Sequence, residues 1–138
     1  MLKVKKVQLD DFHDIVNMLQ SISKYTPSNE DIDEIWNKFS HQKNLNGFSF
    51  FLNNKIIGYG SILYETKIRG GIAGHIEDIV INHEYRGNGF GLFIINYLKE
   101  DAIKNKCYKV SLSCKEQNIE FYKKCGFNLD GVTMQIQF

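Results

Sequence analysis

The segment that most restricts how this chain can fold is Arg86-Gly87-Asn88-Gly89-Phe90-Gly91, which separates two apolar patterns of different period. Before it, Gly74-His75-Ile76-Glu77-Asp78-Ile79-Val80-Ile81 is rich in β-branched residues and stops at Asn82, as a strand does. After it, Leu92 to Lys104 places Ile94, Ile95, Leu98 and Ala102 on one helical face. Glycines at 87, 89 and 91 carry no Cβ, so several backbone N–H groups can converge there on one anion. A helix starting at that point adds unpaired first-turn amides and the positive end of its dipole. Arg86 supplies a planar fork suited to phosphate. The turn reads as a pyrophosphate-binding loop, with a ligand-free glycine-rich helix entry as the alternative. Its spacing is G-x-G-x-G, not the G-x-G-x-x-G of a dinucleotide site, and the Gly-Lys-Ser/Thr of a P-loop is missing.

The 138 residues fit one domain spanning 1–138 with a single core. A net charge of +1 argues against a nucleic-acid partner, which favours a large basic excess. No apolar run approaches membrane-spanning length, and Met1 to Lys5 lacks an apolar signal core, so a cytoplasmic chain without a membrane partner is expected. Cys107, Cys114 and Cys125 show neither metal nor redox spacing and read as buried small apolar residues. His13, His41, His75 and His83 are scattered, so no metal site is expected.

In chain order, Val4, Val7 and Leu9 suggest a short strand, and Asp10 or Asp11 caps a helix carrying Phe12, Ile15, Val16, Leu19 and Ile22. Ser28-x-x-Asp31, or Thr26 with Pro27, opens a second helix with Ile32, Ile35, Trp36 and Phe39 on its stripe. Phe48 to Leu52 and Ile56 to Tyr64 read as strands joined at Asn53-Asn54. Tyr108 to Cys114 is another strand, and Asn118 to Cys125 a helix ending at Gly126. Val132, Met134, Ile136 and Phe138 alternate with polar residues, which predicts a final half-buried strand. The result is one α+β domain with a mixed central sheet flanked by helices, ordered β-α-α-β-β-β-α-β-α-β.

Glu77 and Asp78 are candidate proton acceptors on the central strand, on opposite faces unless a bulge intervenes. One solvated acid and one structural acid is an equally good reading of the pair. Tyr122 can donate its phenol to a departing anion or pack in a core.

The Arg-x-x-Gly-x-Gly turn between strand and helix resembles the acetyl-CoA turn of the Gcn5-related N-acetyltransferases. Four further segments, His75-Ile76-Glu77-Asp78-Ile79, Cys107-Tyr108-Lys109, Asn118-x-x-Phe121-Tyr122-Lys123-Lys124-Cys125-Gly126-Phe127 and Met134-Gln135-Ile136, resemble the glucosamine-6-phosphate N-acetyltransferase family within it. The resemblance implies a GNAT fold and direct transfer of acetyl from acetyl-CoA, the co-substrate, to the amine of an amino sugar phosphate. It implies cofactor contacts from Ile79, Val80 and Ile81 along pantetheine and from Arg86, Gly87, Asn88, Gly89, Phe90 and Gly91 around pyrophosphate, with Ser113, Asn118 and Tyr122 nearby. Tyr122 then faces the departing thiolate, and Glu77 and Asp78 the sugar amine. Lys67, Arg69, Tyr108 and Lys109 line the sugar phosphate site, and Ser23 falls near a threonine that contacts substrate in relatives. A homodimer is also implied, with the last strand at the interface. Gln137 stands where some members carry an arginine that reaches a phosphate across the dimer, and Ser113 where relatives carry an acid. Another amine acceptor, or an acyl-CoA-binding module without catalysis, remains open at this point.

Overall fold

A computed structural model describes residues 1–138 of the chain. Strand β1 (Leu2–Lys6) leads through single 3-10 turns into helices α1 (Phe12–Leu19) and α2 (Ile32–Ser40). A meander follows, made of β2 (Leu45–Leu52), β3 (Lys55–Thr66) and β4 (Ile72–Ile81). Helix α3 (Phe90–Lys104) then crosses over to β5 (Cys107–Leu112), and α4 (Ile119–Lys124) comes last. The five strands lie side by side in sequence order. The first three pairings are antiparallel, and β4–β5 is parallel, as a helical crossover requires. This is the mixed α+β sheet that the sequence predicts.

Local chemistry explains the connections. Asn53 and Asn54 both adopt left-handed backbone, at φ 50° and 67°, the geometry of a tight two-residue hairpin that asparagine tolerates. Before α2, Ser28 Oγ donates to the Asp31 carboxylate at 2.9 Å, linking the two residues of the capping pattern by their side chains and not through a backbone amide. Before α1, Asp11 acts through the amide of Gln8, which donates to its carboxylate at 3.0 Å.

One face of the sheet packs on α3. Phe48, Phe50, Ile57, Ile62 and Ile76 meet Ile94, Leu98 and Ala102, all buried. Fully burying each of the Phe, Ile and Leu side chains contributes about 1.5–3 kcal/mol. Ile94, Ile95, Leu98 and Ala102 are all at or below 1% exposure, the face that the periodicity marks. On the other face α1 and α2 cover a smaller group, Ile15, Ile56, Tyr59 and Val80.

Two expectations fail. Residues 132–138 form no strand in this chain's sheet, and Val132, Met134, Ile136 and Phe138 are exposed. The alternation is present, but no strand of this chain pairs with it. Only Cys125 of the three cysteines is fully buried, while Cys114 is exposed.

Candidate active site

The site begins where two parallel strands part. Pairing between β4 and β5 ends at Ile76 opposite Leu112, while β4 runs on to Ile81. The backbone of residues 77–81 therefore stays bonded to β3 on one side only. Just beyond the parting, β4 bulges. Tyr59 and Ser61, two residues apart on β3, face Val80 and Glu77, three apart on β4. The extra residue is accommodated at Asp78, whose φ is +54°, a left-handed value that aspartate adopts at modest cost. Ile76 and Ile79 both pack with the α3-side core. Glu77 and Asp78, between them, are both exposed and line one cleft. The bulge thus replaces the alternation that would send the two acids to opposite faces.

Arg86, the first residue of the glycine turn, borders this cleft. Gly87 and Gly89 have φ of +81° and +82°, and Gly89 caps α3. Gly91 is helical, and a Cβ there would sit 3.0 Å from the Phe121 ring, so close packing of α3 on α4 selects glycine at this position. The amides of residues 87 to 92 donate to no acceptor in the chain, because the first bond of α3 runs from Phe93 to Gly89. A run of unpaired amides at a helix start with left-handed glycines is an anion cradle. Asn88 braces it, its amide donating to the Tyr85 and Arg86 carbonyls at 3.2 and 3.4 Å. Arg86 reaches back, Nε donating to the Ile81 carbonyl at 3.3 Å and Nη2 to Ser21 Oγ at 3.1 Å.

Ser113, Cys114, Asn118 and Tyr122 line the opposite wall of the cleft, whose volume is about 450 Å³. Asn118 opens α4 and Tyr122 lies within it, its ring edge-on to Phe121 and Phe127. Burial, and then the nearby Cys114 and Cys125, push the Tyr122 phenol above its ordinary range. It keeps its proton at neutral pH and is a hydrogen-bond donor. Ser113 Oγ lies 3.0 Å from Thr133 Oγ1, so the C-terminal segment passes beside this wall. The amide backbone of residues 79–81, the cradle and Tyr122 together suit a long thioester co-substrate ending in phosphates.

The basic residues gather farther along the sheet face that carries Glu77. His75 and Ala73 occupy that face at two-residue steps, and Ala73 pairs with Lys109 on β5 and Glu65 on β3. Lys109 Nζ stands 5.7 Å above the Tyr108 ring. Tyr108 packs against Gly71, where a Cβ would come within 3.1 Å of it. Lys67 holds an ion pair with Glu65 at 2.8 Å. Arg69 is exposed in the same turn and has no ion-pair partner. Ser23 is set apart from these. It shares with Asp78, Tyr59 and Trp36 the lining of a 330 Å³ apolar cavity under α1 and α2. Gln137 lies in the exposed C-terminal segment and does not line the cleft of its own chain.

Three participants do not stand out from the sequence as site residues. Ser21, 65 positions from Arg86, left no signal. Cys114 was read as buried, yet it lines the cleft. Glu65 was visible only as an acid two residues before Lys67, a strand spacing that puts both side chains on one side.

The parted strands, the amide cradle and the helix entry define an acyltransferase of one class. The chain belongs to the acetyltransferase (GNAT) family, whose model matches residues 11–127, and is an acetyl-CoA-dependent N-acetyltransferase. It is 38% identical over 145 aligned residues to glucosamine 6-phosphate N-acetyltransferase 1 of Dictyostelium discoideum, covering 98% of this chain and 90% of the relative. It is 30% identical to glucosamine 6-phosphate N-acetyltransferase of Candida albicans, with coverage of 97% and 94%. The solved structure of glucosamine-6-phosphate N-acetyltransferase from Arabidopsis thaliana superimposes with a TM-score of 0.89 at 27% identity, covering 100% of this chain and 99% of that one.

Proposed function

We propose that this chain transfers the acetyl group of acetyl-CoA directly to the amine of glucosamine 6-phosphate, giving N-acetylglucosamine 6-phosphate and free CoA. The observation that carries the chemistry is the bulge at Asp78. It sets two carboxylates at the parting of β4 and β5, across one cleft from a protonated phenol. The acceptor is supported by full-length relatives of that name and by cations on the face that holds Glu77.

In this reading the amides of residues 87 to 92, with Arg86, grip the pyrophosphate. The one-sided backbone of Ile79 to Ile81 pairs with the pantetheine amides as an added strand would. Acetyl-CoA supplies the activated acyl group. The sugar arrives as an ammonium ion and must lose a proton before its nitrogen can attack. Glu77 or Asp78 accepts that proton, directly or through water. The amine nitrogen bonds to the thioester carbonyl carbon, the C–S bond breaks with its electron pair leaving on sulfur, and the surplus proton of the nitrogen passes to the thiolate to give the amide and the CoA thiol. Tyr122 donates a hydrogen bond to that thiolate. Lys67, Arg69, Lys109 and Tyr108 face the sugar phosphate, and Ser23 borders the acceptor end beside Asp78. Ser113 and Asn118 complete the pantetheine wall.

A homodimer fits the C-terminal segment, whose alternate apolar side chains are exposed in the single chain. A second copy would cover them and bring Gln137 toward its partner's site. Sedimentation of the chain with and without residues 132–138 tests that assembly. The activity itself is tested by following thiol release with glucosamine 6-phosphate, glucosamine and spermidine as competing acceptors. A protein that acetylates spermidine best would move the reading to a different amine.

A further inference from the structure

One carboxylate oxygen on the open sheet face serves two donors. Glu65 Oε1 lies 2.8 Å from Lys67 Nζ and 2.9 Å from His75 Nε2. The other ring nitrogen of His75 lies 3.0 Å from Ser111 Oγ. A carboxylate oxygen only accepts, so Nε2 carries a proton and donates to Glu65, and the serine hydroxyl, which can donate or accept, partners Nδ1. The chain of contacts runs from β5 through β4 and β3 into the turn that carries Lys67. The turn is itself tied, with the Lys67 amide donating to the Gly71 carbonyl at 3.0 Å and the Gly70 amide to the Lys67 carbonyl at 2.9 Å.

We infer that Glu65, held by His75 and Ser111, is a positioning residue that sets the Lys67 ammonium for the substrate's phosphate. This rests on the sugar-phosphate reading above. A lysine on a surface turn samples many rotamers, and a ligand that fixes it must offset that entropy. Here one donor of the ammonium is spent on Glu65, which restricts the side chain before substrate arrives. Two donors remain for phosphate oxygens. The hydrogen bonds of Lys67 and His75 also hold the Glu65 carboxyl below its ordinary range, so it stays an anion and keeps its grip. Lys109 and Arg69 keep the neighbourhood net positive, so one carboxylate does not repel a dianion from it.

Glu65 acting through Lys67 differs kinetically from a residue that merely supports the fold. Steady-state kinetics on glucosamine 6-phosphate and on glucosamine are measured for the wild type, Glu65→Ala, Lys67→Ala and the double variant. Glu65→Ala is expected to raise KM for the phosphorylated sugar roughly three- to tenfold, with kcat and the kinetics on glucosamine unchanged. In the Lys67→Ala background the same substitution is expected to change nothing further, because Glu65 acts through Lys67. An unchanged or lowered KM for Glu65→Ala would overturn the inference. So would an equal loss with Lys67 already removed, or a parallel loss on glucosamine. If the wild type itself uses both sugars equally, the sugar-phosphate reading falls, and the inference falls with it.

Discussion

The hydroxyl of Ser61, at 2% exposure, donates to the main-chain carbonyl of Glu77 at 3.0 Å. This bond ties β3 to β4 at the point where the bulge begins, so a buried serine supports the geometry of two catalytic candidates without touching the cleft. Ser61→Ala removes the donor and leaves the carbonyl short of a partner. The expected loss is about 1 kcal/mol of stability, since a typical hydrogen bond contributes on that order. A concurrent fall in kcat is expected as Glu77 and Asp78 lose their setting. Denaturant unfolding and single-substrate kinetics read the two effects, and an unchanged kcat would show that the bulge holds without Ser61.

Gly89 caps α3 with φ +82° and open space where a Cβ would stand. The Cβ of Gly89→Val therefore meets no neighbour in the free chain. The substitution incurs left-handed backbone strain of about 1–2 kcal/mol and puts a branched side chain at the mouth of the amide cradle. Acetyl-CoA affinity is expected to drop at least about tenfold, equivalent to ~1.4 kcal/mol. Calorimetric titration checks this, and full affinity in a folded variant would place the pyrophosphate elsewhere.

Tyr122→Phe keeps the ring contacts with Phe121 and Phe127 and deletes only the phenol. If that phenol stabilises the departing thiolate, kcat falls on the order of ten- to a hundredfold while acetyl-CoA binding stays nearly constant. Single-turnover measurements isolate the chemical step. Wild-type chemistry in the variant would return Tyr122 to a packing role.

Burial pushes the Tyr59 phenol up to about 12, opposed by a smaller hydrogen bond with Ser61 and aided by the charge of Asp78. A phenol whose pKa is raised on folding holds its proton more tightly in the native state. Its contribution is complete below the unfolded value near 10 and is lost as pH rises toward 12. Between pH 9 and 11 the wild type is expected to lose on the order of 1 kcal/mol more stability than Tyr59→Phe. Urea midpoints across that range decide it, and parallel curves for the two proteins would contradict the assignment.

Sequence periodicity was enough for α3, because Ile94, Ile95, Leu98 and Ala102 answer to a local 3.6-residue repeat. The glycine turn was equally local, since positive φ at Gly87 and Gly89 is a property of those residues. The bulge was not, because it depends on which β3 residues face β4, a register set by contacts 16 or more positions away. Val132 to Phe138 show the converse. Their alternation is local and clear, but a strand also needs a partner, and this chain offers none. The resemblance marks Lys67, while its pairing to Glu65, and that of Glu65 to His75, emerge only from the folded sheet.

The central claim is that a sugar phosphate is the acceptor, although Gln137 offers no charge where an arginine would. Its most direct measurement is kcat/KM for glucosamine 6-phosphate against glucosamine at low and high salt, with acetyl-CoA saturating. Two or three cations on a dianion are expected to favour the phosphorylated sugar by roughly tenfold or more, since a charge-assisted hydrogen bond contributes about 1.5–3 kcal/mol. Added salt is expected to shrink that preference. Equal values for the two sugars at low salt would contradict the account and leave a GNAT acetyltransferase acting on another amine.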